Sequence, residues 1–167
     1  GSDGAFYNNK LEKVVFGSGI ETITYGAFSS NPTLTSVDFS RSVNLKSIAG
    51  SVFYESGLTE LDLSNSKNLS SIGENAFYNS ALTNVKLNGT NLTIGQNAFI
   101  GNDITSLSID GSNIKIGTSA FASNVIEELE LKGTIIQTGK DAFKNNQLED
   151  EDAFIMKVIF LLIIIAD

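Results

Sequence analysis

Leu82-Thr83-Asn84-Val85-Lys86-Leu87, followed by Leu92-Thr93-Ile94-Gly95-Gln96-Asn97-Ala98-Phe99 and closed by Asn102, is one period of a pattern that fills most of the chain. The same frame returns around Phe6, Phe28, Phe53, Phe77, Phe99, Phe121 and Phe143, at intervals of 22, 25, 24, 22, 22 and 22 residues. A small residue precedes each Phe, and Asn or Ser stands three positions after it. Self-similarity at such a period marks a solenoid, in which each period makes one turn of a coil and buries its apolar face against the next. One turn cannot bury enough surface to offset the ordering of its own backbone, so the turns must hold one another up.

Within each period an apolar triplet recurs: Leu11/Val14/Phe16, Leu34/Val37/Phe39, Leu58/Leu61/Leu63, Leu82/Val85/Leu87, Ile104/Leu107/Ile109 and Ile126/Leu129/Leu131. Its last two members are two residues apart and point to the same side of an extended strand, so each repeat is expected to contribute one short parallel strand. Thr35, Thr59, Thr83 and Thr105 follow the first member and suit an exposed pleat. A second apolar pair predicts a convex wall of short strands or turns ending at the Phe: Ile20/Ile23, Leu45/Ile48, Leu69/Ile72, Leu92/Ile94 and Ile114/Ile116. The next period departs from it and pairs Ile136 with Thr138. The column Asn9, Asn31, Ser56, Ser80, Asn102, Asn124 and Asn146 is read as structural, because Asn tolerates left-handed backbone and its amide can satisfy backbone groups at a bend. Pro32 and one extra residue lengthen the Phe28-to-Leu34 connection, where a loop outside the stack is tolerated.

Composition narrows the chemistry. The chain has 167 residues, 41% of them apolar, with no Cys and no His. Disulfides, thiolate metal sites, the commonest metal ligand and the usual neutral-pH base are all lacking, so no cofactor is expected. The net charge is −8, but up to Leu148 there are 14 acids against 10 bases, or −4. That mildly acidic balance argues against nucleic acid, which requires clustered Lys and Arg.

The frame L-x-x-V-x-L, then L-x-x-I-G-x-x-A-F, then Asn at the third position, resembles the BspA-like leucine-rich repeats, also called the Treponema pallidum type. Ile72-Gly73-Glu74-Asn75-Ala76-Phe77 and Ile94-Gly95-Gln96-Asn97-Ala98-Phe99 carry the likeness best, and it covers roughly residues 4 to 148. One departure is that the family often has Cys where this chain has its Asn/Ser column. The resemblance implies a mainly β leucine-rich-repeat solenoid, wound as a right-handed superhelix with one short parallel strand per 22–25-residue repeat. It further implies an extracellular or cell-surface protein that acts as an adhesin toward another protein, such as a host or matrix protein. The family shares a scaffold rather than a catalytic motif, so no functional residue is carried over from it.

Two surfaces are candidates for recognition. The exposed strand positions, expected to form a concave face, are Lys13, Val15, Ser36, Asp38, Glu60, Asp62, Asn84, Lys86, Ser106, Ser108, Glu128 and Glu130. This face has no aromatic anchor, which points to weak or polar binding. The carboxylate pairs Glu60/Asp62 and Glu128/Glu130 each share a face, yet they are read as a solvated surface rather than a hydrolytic site. The second surface is the stripe of Tyr7, Tyr54 and Tyr78, each directly after a repeated Phe and continued by Ile100 and Ala122; its alternative reading is an edge that covers the core and binds nothing. Non-enzymatic protein recognition is the favoured function. A passive spacer on a cell surface and a weak glycan-binding module are the alternatives, the last disfavoured by the lack of Trp.

The array is assigned to residues 1–148. Gly1-Ser2 reads as a cloning scar, and the array is entered in mid-repeat, which suggests a fragment of a longer protein. Residues 149–167 form an acidic and then hydrophobic tail outside the repeat register. It admits four readings: a cap on the last turn, a cloning or reading-frame artefact, a truncated membrane anchor, or a surface for oligomerisation. Its apolar run is shorter than the roughly 20 residues a membrane span requires.

Overall fold

The computed structural model describes residues 4–148. The chain coils into a parallel β solenoid whose strands are β1 (Lys13–Val15), β2 (Thr22–Ile23), β3 (Ser36–Asp38), β4 (Ser47–Ile48), β5 (Glu60–Asp62), β6 (Ser71–Ile72), β7 (Asn84–Thr90), β8 (Thr93–Ile94), β9 (Ser106–Ile116) and β10 (Glu128–Thr138). One wall carries β1, β3, β5, β7 and the first halves of β9 and β10; the opposite wall carries β2, β4, β6 and β8, with β9 crossing from one to the other. Every pairing is parallel. The short strand expected in each repeat is seen in β1, β3 and β5. In the last turns it grows to 7 and then 11 residues, because the bend between the walls tightens until the ladder runs through it.

A third wall consists of turns, and it too is stitched from repeat to repeat. The N–H of Phe53 donates to Ala76 O at 2.7 Å, Phe77 to Ala98 O at 2.8 Å and Phe99 to Ala120 O at 2.7 Å. Residues two before and two after the Phe donate in the same way, as Asn75 does to Gln96 O at 3.1 Å and Asn79 to Ile100 O at 3.1 Å. Those flanking positions are the left-handed ones, for example Asn75 (φ 54°), Asn79 (φ 51°), Asn97 (φ 55°) and Gly101 (φ 71°). Left-handed backbone therefore falls at the second residue after the Phe, not at the Asn/Ser column one position later.

That column works through its side chains. Asn102 Nδ2 donates to Phe77 O at 2.8 Å and Phe99 O at 3.0 Å, while its Oδ1 accepts the N–H groups of Ser80 and Leu82, both at 3.0 Å. Asn31, Asn124 and Asn146 bridge consecutive turns alike. Ser80 donates to Phe53 O in the preceding turn at 2.6 Å and lies 3.4 Å from Tyr78 O, and the buried Ser56 hydroxyl has no partner among the described residues. A serine hydroxyl offers one donor where the amide offers two, so it makes fewer of these bonds.

Inside the coil the repeated Phe rings stack face over face, with centroids 4.9 to 5.5 Å apart and planes within 18° of parallel. The ring spacing follows from the ladder, since parallel strands repeat every ~4.8 Å and the rings ride on them. Phe16 and Phe39 form a second stack at 5.0 Å that meets the first edge-on. Phe53, Phe77, Phe99 and Phe121 are fully buried, whereas Phe6, in the first described turn, is 48% exposed. The expected Ile136/Thr138 pair is corrected by a bulge. Ile135 turns inward opposite Ile114 and Ile136 faces out, while Thr138 takes the core position of Ile116 with its hydroxyl unpartnered. The tail readings fall on 149–167 and lie outside the described residues.

Candidate recognition surfaces

Strand register sets out the polar face row by row. Glu60, Asn84, Ser106 and Glu128 form one row; Asp62, Lys86, Ser108 and Glu130 form the next, and Lys13 with Ser36 and Val15 with Asp38 continue them at the other end. All seven charged candidates, Lys13, Asp38, Glu60, Asp62, Lys86, Glu128 and Glu130, thus share one wall, at positions between the inward-pointing Leu and Val. The row of Asn88, Asp110 and Lys132 extends the face toward the bend; none of the three was singled out from sequence, including the charged Lys132. Its spacing two residues beyond Glu130 on a continued strand was the available signal.

Three carboxylates here, Asp38, Asp62 and Glu130, are held ionised. Asp38 lies below the ordinary carboxylate value because the Ser40 side chain and backbone N–H bond to it, the latter at 2.8 Å, with Lys13 adding its charge. For Asp62 partial burial works to raise the value, but the Ser64 hydroxyl at 2.6 Å, the Ser64 N–H at 2.9 Å and the charge of Lys86 more than offset it. Glu130 is lowered by Lys132, whose Nζ lies 2.8 Å from Oε1, and by the Ser108 hydroxyl 3.0 Å from Oε2; the same pairing raises Lys132. A hydrolytic carboxylate pair needs one member raised to serve as an acid. Asp62 and Glu130, one from each pair, are shifted the opposite way.

Between Lys86 and the Glu128/Glu130 strand the small side chains of Ser106 and Ser108 leave a shallow open depression. It is polar, and its Glu130–Lys132 ion pair is solvent-exposed and worth little to stability. Among the described residues no three acidic side chains gather as metal ligands, and no helix is long and apolar enough to cross a membrane.

The Tyr stripe is partly a stack. Tyr54 and Tyr78 lie 4.9 Å apart with planes 9° from parallel, each half-buried, and burial followed by the nearby Glu55 pushes the Tyr54 phenol up. Tyr7 stands apart from them, 40% exposed, because Ser29 occupies the intervening position. Ile100 is half-buried and Ala122 buried, so the stripe fades toward the later turns. Sequence reasoning passed over Tyr25, the most exposed large apolar side chain among the described residues at 62%. Its ring lies along Gly50 one period later, where an added Cβ would come within 3.1 Å of the ring; Gly50 was the legible signal.

The family described as BspA type Leucine rich repeat region matches the chain over residues 2–124 and 46–154, with 6 copies. Comparison with curated proteins and with solved structures gives no match.

Proposed function

Because this chain belongs to the BspA-type leucine-rich-repeat family, we propose that it is a non-enzymatic protein-recognition module of a secreted or cell-surface protein, adhesin-like, with a host or matrix protein as partner. The observation that carries this reading is the strand wall itself, where charged and hydroxyl side chains are set out in fixed rows on a hydrogen-bonded ladder. Rigid positioning lowers the ordering cost of binding, and such a face suits an extended, polar contact. The Tyr54/Tyr78 stack supplies the aromatic area that the strand wall lacks.

The test is a surface-plasmon-resonance screen against matrix and cell-surface proteins, repeated with Glu60→Ala/Asp62→Ala, Glu128→Ala/Glu130→Ala and Tyr54→Ala/Tyr78→Ala variants. At least one partner is expected whose affinity falls about 10-fold or more in one of the variants, the scale of a single good contact cluster. A screen with no partner would leave a passive spacer as the better account.

A further inference from the structure

The strand wall is not evenly stitched. β1 pairs β3 and β5 pairs β7, but β3 and β5 sit side by side without forming a ladder. In the flanking pairs Phe16 N–H donates to Asp38 O at 3.0 Å and Leu63 N–H to Lys86 O at 2.8 Å; no equivalent bond runs from Phe39 to Asp62. Beyond the strands side chains join the two corners, as Asn88 Nδ2 also joins Ser64 O past the paired β5 and β7. Asn65 Nδ2 donates to Ser40 O at 3.2 Å, Ser66 Oγ to Ser42 O at 3.2 Å and Asn68 Nδ2 to Val43 O at 3.0 Å.

The other two walls pass this junction unbroken. β4 pairs β6, Phe53 N–H reaches Ala76 O at 2.7 Å, and the Phe53 and Phe77 rings stack at 5.2 Å. One inserted residue lies beside this junction, on the side that faces β5. The Phe28-to-Leu34 connection is one residue longer than its counterparts, and the Pro32 carbonyl fills the space over Gly57, where an added Cβ would lie 2.2 Å from it. Gly57 is what makes room for it.

We infer that the β3–β5 junction is a hinge in the recognition face: the strand wall parts there, while the β4–β6 ladder and the Phe stack serve as the spine. The β1–β3 block swings relative to β5–β10 and varies the width and tilt of the polar surface, independently of which partner it meets. Hinges need a place where few bonds must break, and this junction is the one ladder missing from the described strand wall.

Two measurements on the full chain test this. Residue-resolved amide exchange is expected to show the junction-facing amides of residues 35–39 and 59–63 exchanging at least about 10-fold faster than those of 84–90. The chain has no Cys, so spin labels go on cleanly. Lys13→Cys/Asn84→Cys spans three strand intervals across the junction, and Glu60→Cys/Glu128→Cys spans three within the continuous ladder. Electron–electron distance distributions should be clearly wider for the first pair. Equal widths, or uniformly slow exchange, overturn the hinge. Deleting Pro32 together with Gly57→Ala should narrow the first distribution to match the second; a folded deletion variant that stays wide would overturn a part for the inserted residue. If that variant does not fold, the two measurements on the native-length chain still decide.

Discussion

The second and third turns and the last three turns solve the same corner in different ways. From Phe39 to Ile48 and from Leu63 to Ile72 the chain takes nine steps, and from Leu87 to Ile94 and Ile109 to Ile116 only seven. The longer corners are built from side chains: Asp38 and Asp62 accept the N–H of the residue two ahead, and Ser42 and Ser66 are buried in the bend. The shorter corners are built from backbone. Gly89, Gly111 and Gly133 lie in register, an added Cβ on Gly111 would come 2.0 Å from Gly89 O, and the strand continues through the bend as part of the ladder. Continuous strand goes with a short corner whose glycine stands two residues after the last inward side chain; the first turn, also seven steps from Phe16 to Ile23 but with Ser18 at that position, keeps a loop. The same division appears in the Asn/Ser column, where Ser56 and Ser80 belong to the earlier part and Asn102, Asn124 and Asn146 to the later.

Substitutions should separate the two halves. Gly111→Ala attacks the backbone corner: φ of +136° is hostile to a side chain and the added carbon would strike Gly89 O. It is expected to cost about 4 kcal/mol in denaturant unfolding, whereas Asn65→Ala in a side-chain corner, removing one exposed bond to Ser40 O, should cost about 0.5 kcal/mol. Similar losses at both sites would erase the distinction. Asn102→Ala comes next. It strands the Phe77 carbonyl and the N–H groups of Ser80 and Leu82 in the interior, Phe99 O keeping its bond from Asn124, and should cost about 3 kcal/mol, while Ser56→Ala, whose hydroxyl has no partner among the described residues, should be near neutral.

A smaller effect, of opposite sign, belongs to the last turn. Thr138→Val removes an unpartnered buried hydroxyl at nearly constant volume and should raise stability by about 1 kcal/mol in the same assay. The smallest effect is electrostatic. A carboxylate depressed in the folded state contributes stability that is complete above its unfolded value and lost as pH falls through the folded one. For Asp62 that window lies at and below pH 3.8. A carbon-13 NMR titration should place its midpoint below 3.8, and Ser64→Ala should move it upward. No upward movement would mean that the corner hydrogen bonds do not hold the charge.

Much of the molecule was legible because period and pattern act locally. The Phe column, the inward triplets and the alternating polar positions such as Glu60, Asp62 and Lys86 follow from a two-residue pleat repeated every turn. What escaped depends on neighbours one period away. Tyr25 is exposed and supported because Gly50 stands beside it. Ile135 displaced Ile136 because its partner is Ile114 in the adjoining strand. The left-handed positions sit beside the Asn/Ser column rather than in it, since a turn hydrogen-bonded to the next repeat sets those angles.

The amino-acid order alone determined that the chain must coil, how many turns it makes and which side chains face inward, because a fixed period of apolar residues has no other way to bury them together. Only the tertiary structure decided where adjacent coils are joined by backbone and where by side chains. A hydrogen-bond ladder depends on the relative displacement of two turns, and between β3 and β5 that displacement leaves the ladder unformed.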